Sequence, residues 1–283
     1  MGISVDRRLV LLALPALAAC ADMPGATPQA SGAPPDAYAG KSVIDAGIAG
    51  MGGEAALRQV KELYWTGAAT VTAAGKTTEI EMETLVRPFT FARTTSWPKG
   101  AARKGARSIQ AEYGEAWTIQ SVSWTPLPAA QAENENQQFG LYGVMLLTSL
   151  KDPGTKVTET APGKDGTHNL HVEHAGAPPI DLRLDVAGRL IRAENLVRDP
   201  TGGIVPLSQV ATFSGSMTSN GVTWPKRISI QQNGQPFFEL ELATFEARPA
   251  VTNAPIPETL GSQDPSAPAV SPTARTTSPT APQ

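Results

Sequence analysis

An alternation of apolar and polar residues with a period of two runs through the middle of the chain and constrains its fold. It is clearest over residues 180–186, where four aliphatic residues alternate with three charged ones. The same alternation occurs over residues 64–72 and 79–86. Because successive side chains of a β-strand point to opposite faces, each segment predicts a strand with one apolar face. Residues 42–253 contain about twelve such segments, several joined by Asn-Gly turns typical of hairpins.

So many antiparallel strands have to curl to cover a common apolar face. We therefore predict a mainly β (α+β) domain, a half-open antiparallel β-barrel of about 11–12 strands with helices covering or plugging its concave side. Residues 42–63 predict two short helices that meet at a glycine-rich elbow, and Ser42 with Asp45 resembles a capping box. Residues 131–150 lack the alternation and predict a helix that ends before Pro153.

Charge and cysteine content exclude several classes of protein. The 23 basic and 26 acidic side chains give a net charge of −3, so no positive field favours nucleic acid as a partner. The chain has a single cysteine, and therefore no intramolecular disulfide supports the fold.

That cysteine ends an export signal. Two arginines precede an apolar run over residues 9–17, which Pro15 interrupts and which is shorter than the roughly 20 residues of a membrane span. Leu17-Ala18-Ala19-Cys20 resembles the lipobox of bacterial lipoproteins. We expect a lipoprotein signal peptide over residues 1–19 and a lipid anchor on Cys20; an ordinary secretory signal is the alternative. The paired arginines leave both the general and the twin-arginine export routes open.

Two segments flank the predicted domain. Residues 20–41 are rich in Pro, Ala and Gly and predict a linker. Residues 254–283 contain seven prolines with many Ser and Thr, and only three large aliphatic residues. They bury too little apolar surface to fold, so we predict a disordered tail.

Several short motifs resemble one family, the periplasmic lipoprotein carriers and outer-membrane lipoprotein receptors (LolA/LolB-like). Besides the lipobox, they occupy residues 51–57 with 64–67, 113–117, 141–150 and 221–228. The resemblance implies a half-open barrel with a helical lid over a hydrophobic cavity. It also implies lipid or lipoprotein acyl chains as partners. Because Ala21, and not Asp, follows the cysteine, we expect attachment to the outer membrane, facing the periplasm.

Candidate catalytic and metal-binding groups fit other roles better. On one strand His168 and His174 would lie about 20 Å apart while His171 points to the opposite face, which excludes a shared metal ion. Glutamates at 79, 81 and 83 share the solvated face of a predicted strand, and no nucleophile signature is present. We therefore expect no enzyme activity, no catalytic residue, no metal and no cofactor.

Large apolar residues predict the lining of the concave side. A hollow interior would make them a ligand-binding surface, and a filled interior would make them core. They are Trp65, Met82, Phe91, Trp117, Trp124, Leu141, Met145, Leu146, Phe238 and Leu240.

A basic loop is the second candidate surface. It offers contact with anionic lipid headgroups, or is simply a solvated hairpin loop. Its residues are Lys99, Arg103, Lys104 and Arg107.

These features predict a membrane-anchored lipoprotein that binds a lipid, an acyl chain or the lipid moiety of a lipoprotein in a hydrophobic cavity. The alternative is a non-enzymatic envelope lipoprotein with a filled core that acts through its surface. The sequence leaves the ligand and the oligomeric state open.

Overall fold

The structure, a computed structural model, describes residues 42–73, 75–103 and 105–252. None of the helices in this part of the chain is long and apolar enough to cross a membrane. The helices are α1 (Val43–Gly50), α2 (Glu54–Gln59), α3 (Ala129–Met145) and a 3₁₀ helix (Thr148–Lys151). The first strands are β1 (Glu62–Ala73), β2 (Lys76–Arg87), β3 (Phe91–Pro98), β4 (Arg107–Glu112), β5 (Glu115–Gln120) and β6 (Ser123–Pro126). The later strands are β7 (Lys156–Thr160), β8 (His168–His174), β9 (Ala177–Leu184), β10 (Leu190–Val197), β11 (Leu207–Ser214), β12 (Met217–Ser219), β13 (Val222–Trp224), β14 (Arg227–Gln232) and β15 (Gln235–Arg248).

Within the described residues, thirteen strands form one antiparallel sheet, and β12 and β13 form a separate hairpin. The strand order is β6-β5-β4-β3-β2-β1-β15-β14-β11-β10-β9-β8-β7. β1 and β15, the first and last strands along the chain, therefore pair at the centre of the sheet, with Trp65 opposite Phe245. β6 and β7 form the two edges, and α3 connects them. The sheet is not closed, which confirms the predicted mainly β, half-open architecture.

The inner face of the sheet carries the apolar half of the alternation. In β9, Ile180, Leu182 and Leu184 are each at most 1% exposed. The predicted last member of that series, Val186, lies beyond the strand and is 44% exposed, because β9 ends at Leu184. The strand is thus shorter than its sequence pattern.

The N-terminal helices form the predicted elbow. Ser42 caps α1, since its hydroxyl accepts a hydrogen bond from the backbone N–H of Asp45 at 3.1 Å. Gly52 has a φ of +117°, and a Cβ there would lie 1.8 Å from the carbonyl oxygen of Gly221. Only glycine allows this contact between the elbow and the β12–β13 turn. The second helix ends at Gln59 and not at residue 63, because β1 begins at residue 62.

α3 lies against the inner face and contacts β4, β5, β9 and β10, so it bridges strands from both halves of the sheet. The helix begins after Pro128 and ends at Met145. The predicted helix reached residue 150, but Leu147 has a φ of +61°, in the left-handed region, and the chain continues as the 3₁₀ helix. The α-helix therefore ends several residues before Pro153, the residue predicted to end it.

Two strand assignments differ from the sequence prediction. The sequence predicts a single strand over residues 116–123, but this segment forms most of the hairpin β5–β6, whose turn holds Ser121 at a φ of +57°. The Asn220-Gly221 pair joins the short strands β12 and β13, and not the neighbouring long strands. The first difference arises because a turn of two residues interrupts the pattern too briefly to be visible in it. The second arises because β12 and β13 have only three residues each, too few to show an alternation.

Candidate functional site

A groove of about 870 Å³ lies between α3 and the β2–β5 part of the sheet. We call it the α3 groove. Its walls come from the β2–β3 turn, the β4–β5 hairpin, the start of α3 and the β8–β9 turn. The lining residues are Arg87, Phe89, Thr90, Phe91, Ala92, Ala111, Tyr113, Gly114, Glu115, Ala116, Trp117, Pro126, Leu127, Ala129, Ala132, Glu133, Asn136, Gln137, Phe139, Gly140, Ala175, Gly176, Ala177 and Pro178.

Small side chains make the floor of the groove. Ala111, Ala116 and Ala132 are buried together, and Leu127 and Phe139 pack against them. Ala111 and Ala116 are directly paired across β4 and β5. Because these three positions carry only a methyl group, the space between sheet and helix stays unfilled at this place.

Phe89 forms the wall between the two halves of the sheet. Its ring stacks on that of His174 with 4.1 Å between centroids. Two glycines provide room for it: a Cβ at Gly143 or Gly176 would lie 2.6 Å from atoms of the Phe89 ring. The ring therefore occupies a slot that only glycine leaves open.

Asn136 ties α3 to the β4–β5 hairpin along the rim. Its Oδ1 accepts a hydrogen bond from the N–H of Gly114 at 3.3 Å. Its Nδ2 donates to the carbonyl oxygens of Glu115 at 3.1 Å and Ala132 at 2.8 Å. These bonds satisfy the amide within the protein, so this polar group at the rim does not require a polar ligand.

Arg87 marks one corner of the groove. Its guanidinium lies 4.7 Å from the ring centroid of Phe91. Its Nε donates to Glu62 at 3.3 Å and its Nη2 donates to the carbonyl oxygen of Thr252 at 2.6 Å. The arginine thus connects the groove to the last described residue of the chain.

Six of the ten predicted lining residues are buried in the main core and not in the groove. They are Trp65, Met82, Leu141, Met145, Leu146 and Leu240. Leu240 also borders a smaller, mostly polar groove of about 460 Å³ beside β1, β14 and β15.

The other four predicted residues lie at different depths. Phe91 and Trp117 line the α3 groove. Trp124 is 40% exposed and meets Trp117 edge-on, with 6.3 Å between ring centroids. Phe238 is half-buried and packs on the main core. Of the ten, the α3 groove therefore brings two together.

Aromatic side chains fill the interior beside the groove. Trp65 meets Tyr142 of α3 edge-on at 5.0 Å and stacks on Trp224 at 6.3 Å, and Trp224 stacks on Phe245 at 5.6 Å. Both Trp65 and Trp224 are 0% exposed. Burial raises the pKa of Tyr142 to about 12, with the charge of Glu135 contributing. This part of the concave side is packed core.

The basic residues of the predicted headgroup-binding loop already have partners. Lys99 pairs with Glu79 at 3.0 Å, and Arg103 pairs with Glu83 and lies over the ring of Trp97. Arg107 donates to the hydroxyl of Thr118 at 3.0 Å. The fourth, Lys104, lies outside the described residues. Contact with lipid headgroups stays a prediction.

The histidines of β8 have separate surroundings. His168 lies 3.2 Å from Glu159, His171 lies 2.7 Å from Asp181, and His174 stacks on Phe89. In the part of the chain that the structure describes, no three His, Cys, Asp or Glu residues are grouped as metal ligands. The predicted lipidation site Cys20 and the predicted signal peptide, linker and tail lie outside the described residues.

Sequence reasoning did not identify the floor of the groove. A signal was nevertheless present in α3, where Ala132, Asn136, Phe139 and Gly140 follow the i, i+4, i+7, i+8 spacing of one helix face. The face is weakly apolar, and its spacing predicts a helix but no binding surface. The slot for Phe89 gives no sequence signal, because its two glycines are far apart in the chain.

The fold and its groove define a class of protein: an open antiparallel half-barrel with a helix laid across its concave side and a cleft beside that helix. Among solved structures, three are similar to the chain at 10–11% sequence identity. A domain described as an outer membrane lipoprotein-sorting protein, from Vibrio parahaemolyticus, has a TM-score of 0.46 and covers 68% of this chain and 87% of its own.

Two further structures are similar. A LolA superfamily protein from Nitrosomonas europaea has 11% identity and a TM-score of 0.46, covering 69% of this chain and 92% of its own. A DUF1329 family protein from Desulfovibrio piger has 11% identity and a TM-score of 0.47, covering 76% and 97%. The similarity to these structures is one of fold alone. No protein-family model and no curated protein matches the sequence.

Proposed function

We propose that the chain is a lipid-anchored lipoprotein of the bacterial envelope that binds an acyl chain, a lipid or the lipid moiety of a lipoprotein in the α3 groove. The observation that carries the proposal is an 870 Å³ groove beside a filled aromatic core. Its volume falls in the range of about 300–1,000 Å³ that is usual for small-molecule sites.

The distribution of polar groups favours an amphiphilic ligand. The floor holds alanines, and the walls hold Phe89, Phe91 and Phe139. Charged groups occur at the edge, where Glu115 and Glu133 are exposed. A hydrocarbon chain on the floor would gain about 0.8 kcal/mol for each buried CH₂, while a headgroup would stay in water at the rim.

Membrane attachment through Cys20 is part of the same proposal. Two or more acyl chains give stable anchoring, so the groove would stay close to its source of lipid. Incorporation of labelled palmitate into the chain, lost on Cys20→Ser, tests the anchor. Labelling that persists in this variant would overturn it.

Binding is tested with a dansyl-labelled fatty acid and the full chain made soluble by Cys20→Ser. Ala132→Trp places a large side chain on the floor of the groove, and Ala129→Trp places one at its exposed rim. Each should weaken probe binding at least about tenfold, equivalent to about 1.4 kcal/mol. The matched control is Ala102→Trp, the same substitution in the exposed β3–β4 loop.

The outcomes separate binding from folding. Thermal unfolding shows whether each variant retains the fold, and Ala129→Trp serves if the buried substitution does not fold. Equal probe affinity in the parent chain, Ala129→Trp and the Ala102→Trp control would exclude the groove as the binding site.

A second function is favoured by the packed interior. Trp65, Tyr142 and Trp224 pack together in the interior, where the family resemblance implies a hydrophobic cavity. A structural or interaction lipoprotein would use such a filled core only for stability. Absence of probe binding to the parent chain, together with absence of lipid in mass spectra of the purified protein, would support this second function over the first.

A further inference from the structure

The C-terminal end of the described chain is held by a buried carboxylate. Glu62 is 0% exposed, and its two oxygens lie 3.0 Å from Arg248 and 3.3 Å from Arg87. Thr252 binds the same carboxylate twice, through its hydroxyl at 2.6 Å and its backbone N–H at 3.3 Å. Opposite charges that meet in a desolvated place interact more strongly than at the surface. Thr252 is therefore fixed although it is exposed.

This anchor holds Thr252, the last described residue, at the edge of the α3 groove. The carbonyl oxygen of Thr252 accepts a 2.6 Å hydrogen bond from Arg87, which lines the groove. The same guanidinium stands over Phe91, another lining residue. The described part of the chain therefore ends beside the groove.

The first residues of the tail have the composition of a groove ligand. Asn253-Ala254-Pro255-Ile256-Pro257-Glu258-Thr259-Leu260 follows the anchor and contains two of the three large aliphatic residues of the tail. At about 3.1 Å per residue in a polyproline II conformation, Ile256 reaches about 12 Å and Leu260 about 25 Å from Thr252.

The aromatic lining of the α3 groove fits a proline-rich segment. Proline-rich segments in the polyproline II conformation dock into grooves lined by aromatic side chains. Five aromatic residues line this one, namely Phe89, Phe91, Tyr113, Trp117 and Phe139. Tyr113 is 79% exposed at the rim and offers its ring to such a segment.

We propose that residues 253–260 of the chain's own tail dock in the α3 groove, with Ile256 and Leu260 on its apolar floor, and compete there with the lipid ligand. The competition rests on the proposed function, whereas docking itself does not. Because the anchor at Thr252 makes docking intramolecular, the local concentration of the segment is in the millimolar range, so a weak contact is enough.

The test compares full chains that all carry Cys20→Ser. In one variant Ile256→Asp and Leu260→Asp remove the apolar contacts; the matched control is Val270→Asp, which changes the third aliphatic residue of the tail. Amide hydrogen exchange of the β4–β5 hairpin and of the first half of α3 measures docking. We expect exchange there to be several-fold faster in the double variant and unchanged in the control.

Probe binding measures competition. The double variant should bind the dansyl fatty acid roughly fivefold more tightly than the parent chain, and a synthetic peptide of residues 253–262 should reverse this gain. If no chain binds the probe, the proposed function fails while hydrogen exchange still decides docking. Equal exchange in the parent and the double variant, or an equal effect of Val270→Asp, would overturn the docking proposal.

Discussion

The ring of Phe89 stacks on the ring of His174, with centroids 4.1 Å apart and planes inclined by 21°. Phe89 belongs to the turn between β2 and β3, and His174 ends β8, near the opposite edge of the sheet. Strands that are far apart in the sheet order therefore meet through this pair. The contact stands at the wall of the α3 groove, so the shape of the groove depends on it.

We predict that Gly143→Ala destabilises the protein although alanine is the better helix former by about 1 kcal/mol. The new Cβ would lie 2.6 Å from the Phe89 ring, and overpacking of this kind costs about 1–3 kcal/mol. In the Phe89→Ala background the same change should be neutral or stabilising. Urea unfolding of the parent, the two single variants and the double variant measures this coupling. Additive changes in the free energy of unfolding would show that the Phe89 ring does not need the space left by Gly143.

A pH dependence is expected from His174. Burial lowers the pKa of its imidazole below 6.5, and its Nδ1 accepts the N–H of Gly176 at 2.9 Å, a bond that the protonated ring cannot make. Since the folded pKa is below the unfolded one, this contribution to stability is complete above about pH 6.5 and is lost as the pH falls through 6.5 toward the folded value.

The variant His174→Gln should reduce that loss of stability on the acid side, as measured by urea unfolding between pH 8 and pH 5. His171→Gln is the control, because it removes a histidine of the same strand that does not contact Phe89. A chain without His174 that loses as much stability as the parent would exclude the imidazole as the cause.

Much of the sheet could be predicted from the sequence, because the period of two reports directly on which side chains share a face. Leu170, Leu182 and Ala193 follow each other across β8, β9 and β10 on the buried face. The pairing of β1 with β15 could not be read in this way. It depends on contacts almost two hundred residues apart, and no local pattern encodes them.

The candidate site was less predictable than the sheet. From the sequence, large apolar side chains such as Trp65 and Met145 fit either the lining of a cavity or a filled core. In the structure both are buried in the core, since large residues fill space. The groove exists where residues are small, at Ala111, Ala116 and Ala132. Whether an alanine faces a void or a neighbour depends on the opposing element, which sequence alone does not define.

Removal of the buried carboxylate should be costly. Glu62→Ala leaves Arg87 and Arg248 without their shared partner and releases Thr252. Breaking such a buried pair typically destabilises a protein by about 3–5 kcal/mol. We expect the free energy of unfolding, measured with urea, to fall by about 3 kcal/mol, because both arginines retain some exposure. The control Glu246→Ala removes an exposed partner of Arg248 and should cost less than about 1 kcal/mol.

A pH dependence of opposite sign is expected from Glu135 on α3. Burial raises the pKa of its carboxyl to about 7 from 4.5, against the opposing effect of the Arg107 charge. Because the folded pKa is raised, the contribution to stability is complete below about pH 4.5 and is lost as the pH rises through about 7. Glu135→Gln keeps the shape and cannot ionise, so at pH 8 it should be more stable than the parent chain, by up to about 3 kcal/mol.

Urea unfolding at pH 5 and pH 8 tests this expectation. The gain from Glu135→Gln should be large at pH 8 and small at pH 5. Glu133→Gln is the matched control, since that residue lies on the same helix with 55% of its side chain exposed. An equal gain at both pH values, or an equal gain in the control, would show that ionisation of Glu135 does not limit stability. Combining Glu135→Gln with His174→Gln should remove both contributions, so that the pH dependence left between pH 5 and pH 8 comes from other groups.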